Sequence, residues 1–136
     1  MTNPYLLDTS AILTLIEDEA GATRVEQMLR EQSAMITWVS LLEVHYITQQ
    51  ERGLAEAEQR YALLKTLPVT LFWSIEEPVL LIAARLKAAH RLSFADTIVA
   101  AWAIYQKATL LHKDPQFEAL VGQVSLEALP YKTTVA

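Results

Sequence analysis

Four carboxylates stand where a short apolar run gives way to a helix-starting pattern: Asp8 in YLLDTSA, Glu43 in ITWVSLLEV, Asp96 in RLSFADTIVAAWA and Asp114 in TLLHKDPQF. If the apolar runs are parallel strands of one sheet, the four acids meet at one edge. Such a set suits hard divalent cations, Mg²⁺ or Mn²⁺, because a cation offsets a repulsion that would otherwise protonate some of the acids. The chemistry implied is metal-dependent hydrolysis of phosphate esters.

Each acid also has a purely structural reading. Asp8 is placed to cap the helix it precedes. Ser40-Leu-Leu-Glu43 and Ser93-Phe-Ala-Asp96 match the capping-box pattern, and Asp114 before Pro115 is a common N-cap with proline at the first helical position. Capping alone suffices for Asp114. It does not account for the apolar setting of Glu43, among Leu41, Leu42, Val44 and Ile47, or of Asp96, between Phe94 and Ile98, which predicts partial burial. A buried carboxylate needs backbone donors or a cation. No Lys or Arg lies within four residues of Glu43, so a metal is the more economical partner. The two readings coexist, since a carboxylate oriented by a helix N-terminus still has a second oxygen to offer.

Other chemistry-bearing residues carry less. The separations of His45, His90 and His112 match no zinc spacing, and the chain has no cysteine to complete a zinc site. Only His112, beside Asp114, adjoins the acids. Trp38, Trp73 and Trp102 are suited to stacking on bases, but each sits in a strand or on an apolar helix face, which predicts core packing. Arg85 and Lys87 read as a solvated helix face, with Arg91 a further cation before the Asp96 helix. Lys113, adjoining a proposed ligand, is the candidate contact to a substrate phosphate.

The elements that must position these residues follow from periodicity. Strands are predicted at Tyr5–Leu7, Met35–Thr37, Val69–Trp73 and Thr109–Leu111, with a last edge strand at Val124–Leu126. Ile12, Leu15 and Ile16 recur at helical spacing until Glu17-Asp18-Glu19 and Gly21 break the helix, and Val25, Met28 and Leu29 face the next one. Further helices are predicted from Ser40 to about Arg52, over Leu54 to Leu64 before Pro68, and from a capping box at Ser74–Glu77 to about His90. Another starts at Ser93 with Phe94, Ile98, Ala101, Trp102 and Tyr105 on one face. Strands separated by helices imply a three-layer α/β/α fold around a parallel sheet of four to five strands. Ligands of such sheets bind at the carboxyl ends of the strands.

The 136 residues suffice for one domain over 1–136, and the three glycines and five prolines form no linker or repeat. The absence of cysteine fits a reducing compartment. The N-terminus does not read as a signal peptide, and the longest apolar run, Ile98 to Ile104, is far short of a membrane span, so a soluble cytoplasmic protein without a membrane partner is expected. Net charge is −5, from 11 basic and 16 acidic residues, which argues at first against a polyanionic substrate. Without the four proposed ligands the balance is 11 against 12, and bound cations would reverse the local sign toward a phosphate.

In this order the segments DTSA at Asp8–Ala11, SLLEV at Ser40–Val44, SFADTIVAAWA at Ser93–Ala103 and HKDPQFEAL at His112–Leu120 resemble the PIN-domain family, and within it the VapC-type ribonuclease toxins of toxin–antitoxin pairs. The resemblance spans essentially the whole chain. It implies a PIN-like fold, acidic metal ligands at Asp8, Glu43, Asp96 and Asp114, and a supporting hydroxyl from Thr9 or Ser10. It also implies a Mg²⁺- or Mn²⁺-dependent endoribonuclease that is neutralised by an antitoxin protein and is commonly a homodimer. Two positions depart from the pattern: His112 stands where many members carry threonine, and Gln116 where a further acid is often found.

Two other classes compete. A catalytically inactive PIN-like module that binds RNA or protein predicts acid substitutions without effect, and the intact set of four acids argues against it. A receiver-like phosphoacceptor domain wants two adjacent acids after the first strand, whereas Thr9 follows Asp8.

Overall fold

The computed structural model describes residues 4–31 and 33–132. Five strands, β1 (Tyr5–Leu7), β2 (Ala34–Thr37), β3 (Thr70–Phe72), β4 (Thr109–His112) and β5 (Ser125–Ala128), form one sheet in the order β3-β2-β1-β4-β5. Every pairing is parallel, with Leu6 opposite Met35 on one side and Leu110 on the other. Six α-helices connect them: α1 (Thr9–Ile16), α2 (Ala22–Arg30), α3 (Trp38–Arg52), α4 (Leu54–Thr66), α5 (Glu77–Ala89) and α6 (Phe94–Tyr105). A 3-10 helix over Pro115–Leu120 follows β4.

The period of two along a strand divides the core into two layers. Leu6, Met35 and Leu110 face the side covered by Val79, Ala83 and Leu86 of α5 and by Ile98 to Ala103 of α6. Leu7, Ile36 and Leu111 face the opposite side, covered by Ile12, Val25, Met28, Leu41, Val44 and Leu64 from α1 to α4. The fold is thus the three-layer α/β/α arrangement. From β1 the chain fills one side of the sheet through β2 and β3, then returns to pair β4 against the other side of β1. The resulting switch point lies between β1 and β4, where open parallel sheets form their binding crevice.

Several helix starts differ from expectation. Helix α3 begins directly after β2, with Thr37 as N-cap and no side-chain cap bond, so Ser40 is a buried residue of the first turn and not a cap. Helix α5 begins at Glu77 with Glu76 as N-cap, so the Ser74 capping box does not form either. The Ser93 cap does form: its Oγ accepts the backbone N–H of Asp96 at 3.1 Å. Trp102 lies in the core as expected, stacked on Phe72 at 4.2 Å between ring centroids. Trp73, one residue beyond the end of β3, and Phe94, which opens α6, are exposed, the latter at 73%.

Candidate active site at the carboxyl edge of the sheet

Asp8 follows β1 directly, and its backbone N–H donates to the Leu111 carbonyl of β4 at 3.1 Å. Its side chain caps α1, accepting the Ala11 N–H on Oδ1 at 2.8 Å. The Ser10 hydroxyl donates to the same carboxylate, 2.7 Å from Oδ1 and 2.8 Å from Oδ2, and accepts the backbone N–H of Lys113 at 2.8 Å. Ser10 therefore ties the acid after β1 to the chain leaving β4.

Glu43 lies one turn into α3. Thr9 donates its hydroxyl to Glu43 Oε1 at 2.6 Å and stands 3.1 Å from the Ser40 hydroxyl. A hydroxyl has one proton, so with Thr9 committed to the carboxylate, the Ser40 contact is completed by the Ser40 proton. The spacing that suggested a capping box places Ser40 and Glu43 on one side of α3, toward the start of α1. Adjacent hydroxyls thus serve different acids, Thr9 for Glu43 and Ser10 for Asp8.

Asp96 sits in the first turn of α6, on the other face of the sheet. Asp114 follows β4 and caps the 3-10 helix, one oxygen accepting the Gln116 N–H at 2.9 Å. Its own backbone N–H donates to Nδ1 of His112 at 3.1 Å. Burial lowers the His112 pKa, which keeps the ring neutral and its Nδ1 lone pair available. The imidazole thus fixes the backbone of Asp114, and its carboxylate receives no proton from this position.

The four acids sense one another. Asp8 is 3% exposed, and burial pushes its carboxyl up to about 7, with the charges of Asp96 and Asp114 adding to the rise and the Ser10 and Ala11 hydrogen bonds opposing it. Asp96 is pushed up to about 6 by burial first, then by Asp114 and Glu43, against the effect of Ser93. The partial burial expected for Glu43 and Asp96 is present, but Asp8 is the most buried of the set. Its neighbours in sequence include two hydroxyls, and its burial comes from β4, which no local pattern reveals.

Among the described residues, none of the four acids pairs with a lysine, arginine or histidine. No three acid or imidazole side chains among them are gathered into a ready-made metal cage. The donor set itself fits a hard divalent cation: all oxygen, anionic, partly buried and without an internal counter-charge.

Lys113, the candidate phosphate contact, is held within the fold. Its ammonium donates to the Ala20 carbonyl at 3.0 Å and stands 3.5 Å from Glu19 Oε1, with the side chain 5% exposed. His45 and His90 lie apart from the acids, bonded to Gln49 and Gln123. Among the described residues no helix is long and apolar enough to cross a membrane.

The PIN domain family model matches residues 5–122. No curated protein sequence matches the chain. Among solved structures it is similar to VapBC2 from Rickettsia felis bound to a DNA fragment from their promoter, with a TM-score of 0.75, 15% identity and coverage of 93% of this chain and 98% of the other. It is also similar to Mycobacterium tuberculosis VapC20, a sarcin-ricin loop cleaving toxin, with a TM-score of 0.72, 16% identity and coverage of 93% and 99%. A third, VapBC-1 from nontypeable Haemophilus influenzae, gives 0.70, 18%, 91% and 96%. At these identities the likeness to solved structures speaks for the fold.

Proposed function

The chain belongs to the PIN domain family, and from that premise we propose that it is a metal-dependent endoribonuclease, the toxin of a toxin–antitoxin pair, acting in the cytoplasm as one domain. The observation that carries this reading is the buried Asp8 carboxyl, raised to about 7 beside Asp96 and Asp114 and without a cationic side chain to pair with. A fold that holds such a group against its own stability gains from it in binding a cation.

Asp8, Asp96 and Asp114 are the proposed ligands, with Glu43 as a fourth ligand or a base beside them. A bound Mg²⁺ or Mn²⁺ supplies Lewis-acid polarisation of a phosphodiester oxygen and lowers the pKa of coordinated water. The protein's own contribution is placement. Ser10 holds Asp8 and the β4 exit together, Thr9 of α1 aims Glu43 of the neighbouring α3, and His112 fixes the backbone that carries Asp114. Attack by water leaves the ribose 2′-hydroxyl unused and, with the P–O3′ bond broken and the 3′-oxygen leaving as a hydroxyl, the products carry a 5′-phosphate and a 3′-hydroxyl.

Partners are proposed on the same footing. Structurally similar proteins are VapBC complexes, which supports an antitoxin for this chain. An apolar cleft of about 440 Å³ lined by Trp38, Ile75, Leu80, Ala83, Phe94 and Ile98, together with exposed Leu42 and Trp73 beside Trp38, supports a protein partner on that side. A second copy of the chain is proposed as well.

The test is incubation of purified, partner-free protein with total cellular RNA in Mg²⁺ or Mn²⁺ against EDTA, followed by mapping of the ends. Discrete metal-dependent cuts with 5′-phosphate ends are expected. Cuts that persist in EDTA, or that leave cyclic phosphates, would contradict the reading, and binding without cutting would favour a non-catalytic module.

A further inference from the structure

Beside the acidic edge, on the side of Asp114, lies a cleft of about 330 Å³ whose lining includes Ser10, Glu19, Lys113, Asp114, Tyr131 and Lys132. Ser10 and Asp114 belong to the acidic site, so the two are continuous. The opposite wall comes from the α1–α2 connection and the segment after β5. Gly21 explains how these meet: its φ is +106°, and a Cβ there would stand 3.1 to 3.2 Å from Leu129 and Pro130. Only a residue without a side chain lets the two segments press together at that angle.

Within the cleft one carboxylate is shared by two ammonium groups. Glu19 Oε2 is 3.0 Å from Lys132 Nζ, and Oε1 is 3.5 Å from Lys113 Nζ. The trio carries a net charge of +1 next to four acids. Lys113 is buried and fixed by the Ala20 carbonyl, whereas the Lys132 side chain is 74% exposed. An exposed ion pair of this kind contributes little to stability, so the Glu19 oxygen at Lys132 is readily exchanged for another anion. Tyr131 stays in place through its hydroxyl, which donates to Glu118 at 2.9 Å, and through its ring beside His112.

We propose that this cleft is a subsite for a second RNA phosphate, one that flanks the bond to be cut, with Lys132 and Lys113 as its cations and Glu19 as the anion that holds them until RNA arrives. The proposal rests on the ribonuclease reading. A phosphodiester brings one negative charge while Glu19 remains in the cleft, so its arrival takes the trio from +1 to neutral. The cleft also gives the substrate a cationic anchor beside a site whose own side chains repel it.

The experiment measures binding of a short mixed-sequence single-stranded RNA to the full chain carrying Asp96→Asn, in EDTA, from about 50 to 200 mM salt. Lys132→Ala is expected to weaken binding severalfold and to reduce the slope of log K against log salt by about 0.7, the value for one phosphate contact on a single strand. Glu19→Gln is expected to tighten binding and to steepen the slope. In the otherwise unaltered chain, Lys132→Ala is expected to raise KM for cleavage with kcat retained. The proposal is overturned if neither variant changes the slope, if Glu19→Gln weakens binding as loss of a structural ion pair would, or if the chain binds no RNA. Metal-dependent cleavage by the unaltered chain is scored separately: its absence overturns the ribonuclease reading, while cleavage with unchanged slopes overturns the subsite alone.

Discussion

The Ser10 hydroxyl accepts the backbone N–H of Lys113 at 2.8 Å across 103 positions of chain, while giving its proton to Asp8. This contact bridges the β1/β4 switch point, and it sets the first acid relative to the last. Ser10→Ala removes both bonds and leaves a part-buried N–H unsatisfied. A loss of about 1 to 2 kcal/mol is expected in urea denaturation, with cleavage falling by at least about tenfold. Unchanged cleavage with the stability loss would show that Ser10 serves the fold alone.

Thr9 and Glu43 are coupled by a 2.6 Å hydrogen bond between helices α1 and α3. Thr9→Val keeps the shape and removes the donor, and Glu43→Gln removes the charge. A double-mutant cycle on stability is expected to give a coupling of about 1 kcal/mol or more, as for a hydrogen bond to a charged group. Additive effects would mean that the hydroxyl does not hold Glu43.

The Asp8 carboxyl stands near 7 in the folded chain against an ordinary value of 3.8. The native state therefore holds a proton that the unfolded chain has released, and stability falls as pH rises from about 4 toward 7. Asp8→Asn is expected to stabilise the protein at pH 8 by on the order of 2 to 4 kcal/mol, with the difference vanishing near pH 4. Chemical denaturation at pH 4, 6 and 8 decides this, and a variant less stable than the parent at pH 8 would contradict it.

A divalent cation offsets the same penalty, so it acts most where the acids are ionised. Saturating Mn²⁺ is expected to raise Tm by several degrees at pH 8 and by much less at pH 5, and EDTA is expected to reverse the rise. Asp96→Asn is expected to remove most of it. A Tm insensitive to Mn²⁺ at both pH values would count against the metal site.

Much of the fold was legible because each strand is a short apolar run stopped by polar residues and each helix has an apolar face. The runs at Tyr5–Leu7 and Thr109–Leu111 needed only their composition to be recognised, the second strand extending one residue further, to His112. Three of the acids were legible at the edge because the strand-to-helix junctions after β1, β2 and β4 fall there, whereas Asp96 opens α6 after another helix, α5, and not after the strand-like run expected. What was not legible depends on neighbours distant in sequence. Ser40 and Ser74 match a capping pattern, but α3 starts earlier, at the end of β2, and α5 starts at Glu77. Phe94 fits an apolar stripe, yet it lies exposed while Thr97 in the same turn is buried. Lys113 adjoins an acid in sequence, while its ammonium is drawn to Glu19 and Ala20 on a loop that only the folded chain brings near.

The central claim is that Asp8, Glu43, Asp96 and Asp114 act as one metal-dependent centre for RNA cleavage. The most direct measurement is the cleavage rate of one mapped RNA site in Mn²⁺ by four single variants, Asp8→Asn, Glu43→Gln, Asp96→Asn and Asp114→Asn, with Tm recorded for each. The account predicts a loss of at least about 100-fold in every variant, with the fold retained and Asp8→Asn more stable than the parent. Full activity in a folded Asp8→Asn or Asp96→Asn protein would contradict it.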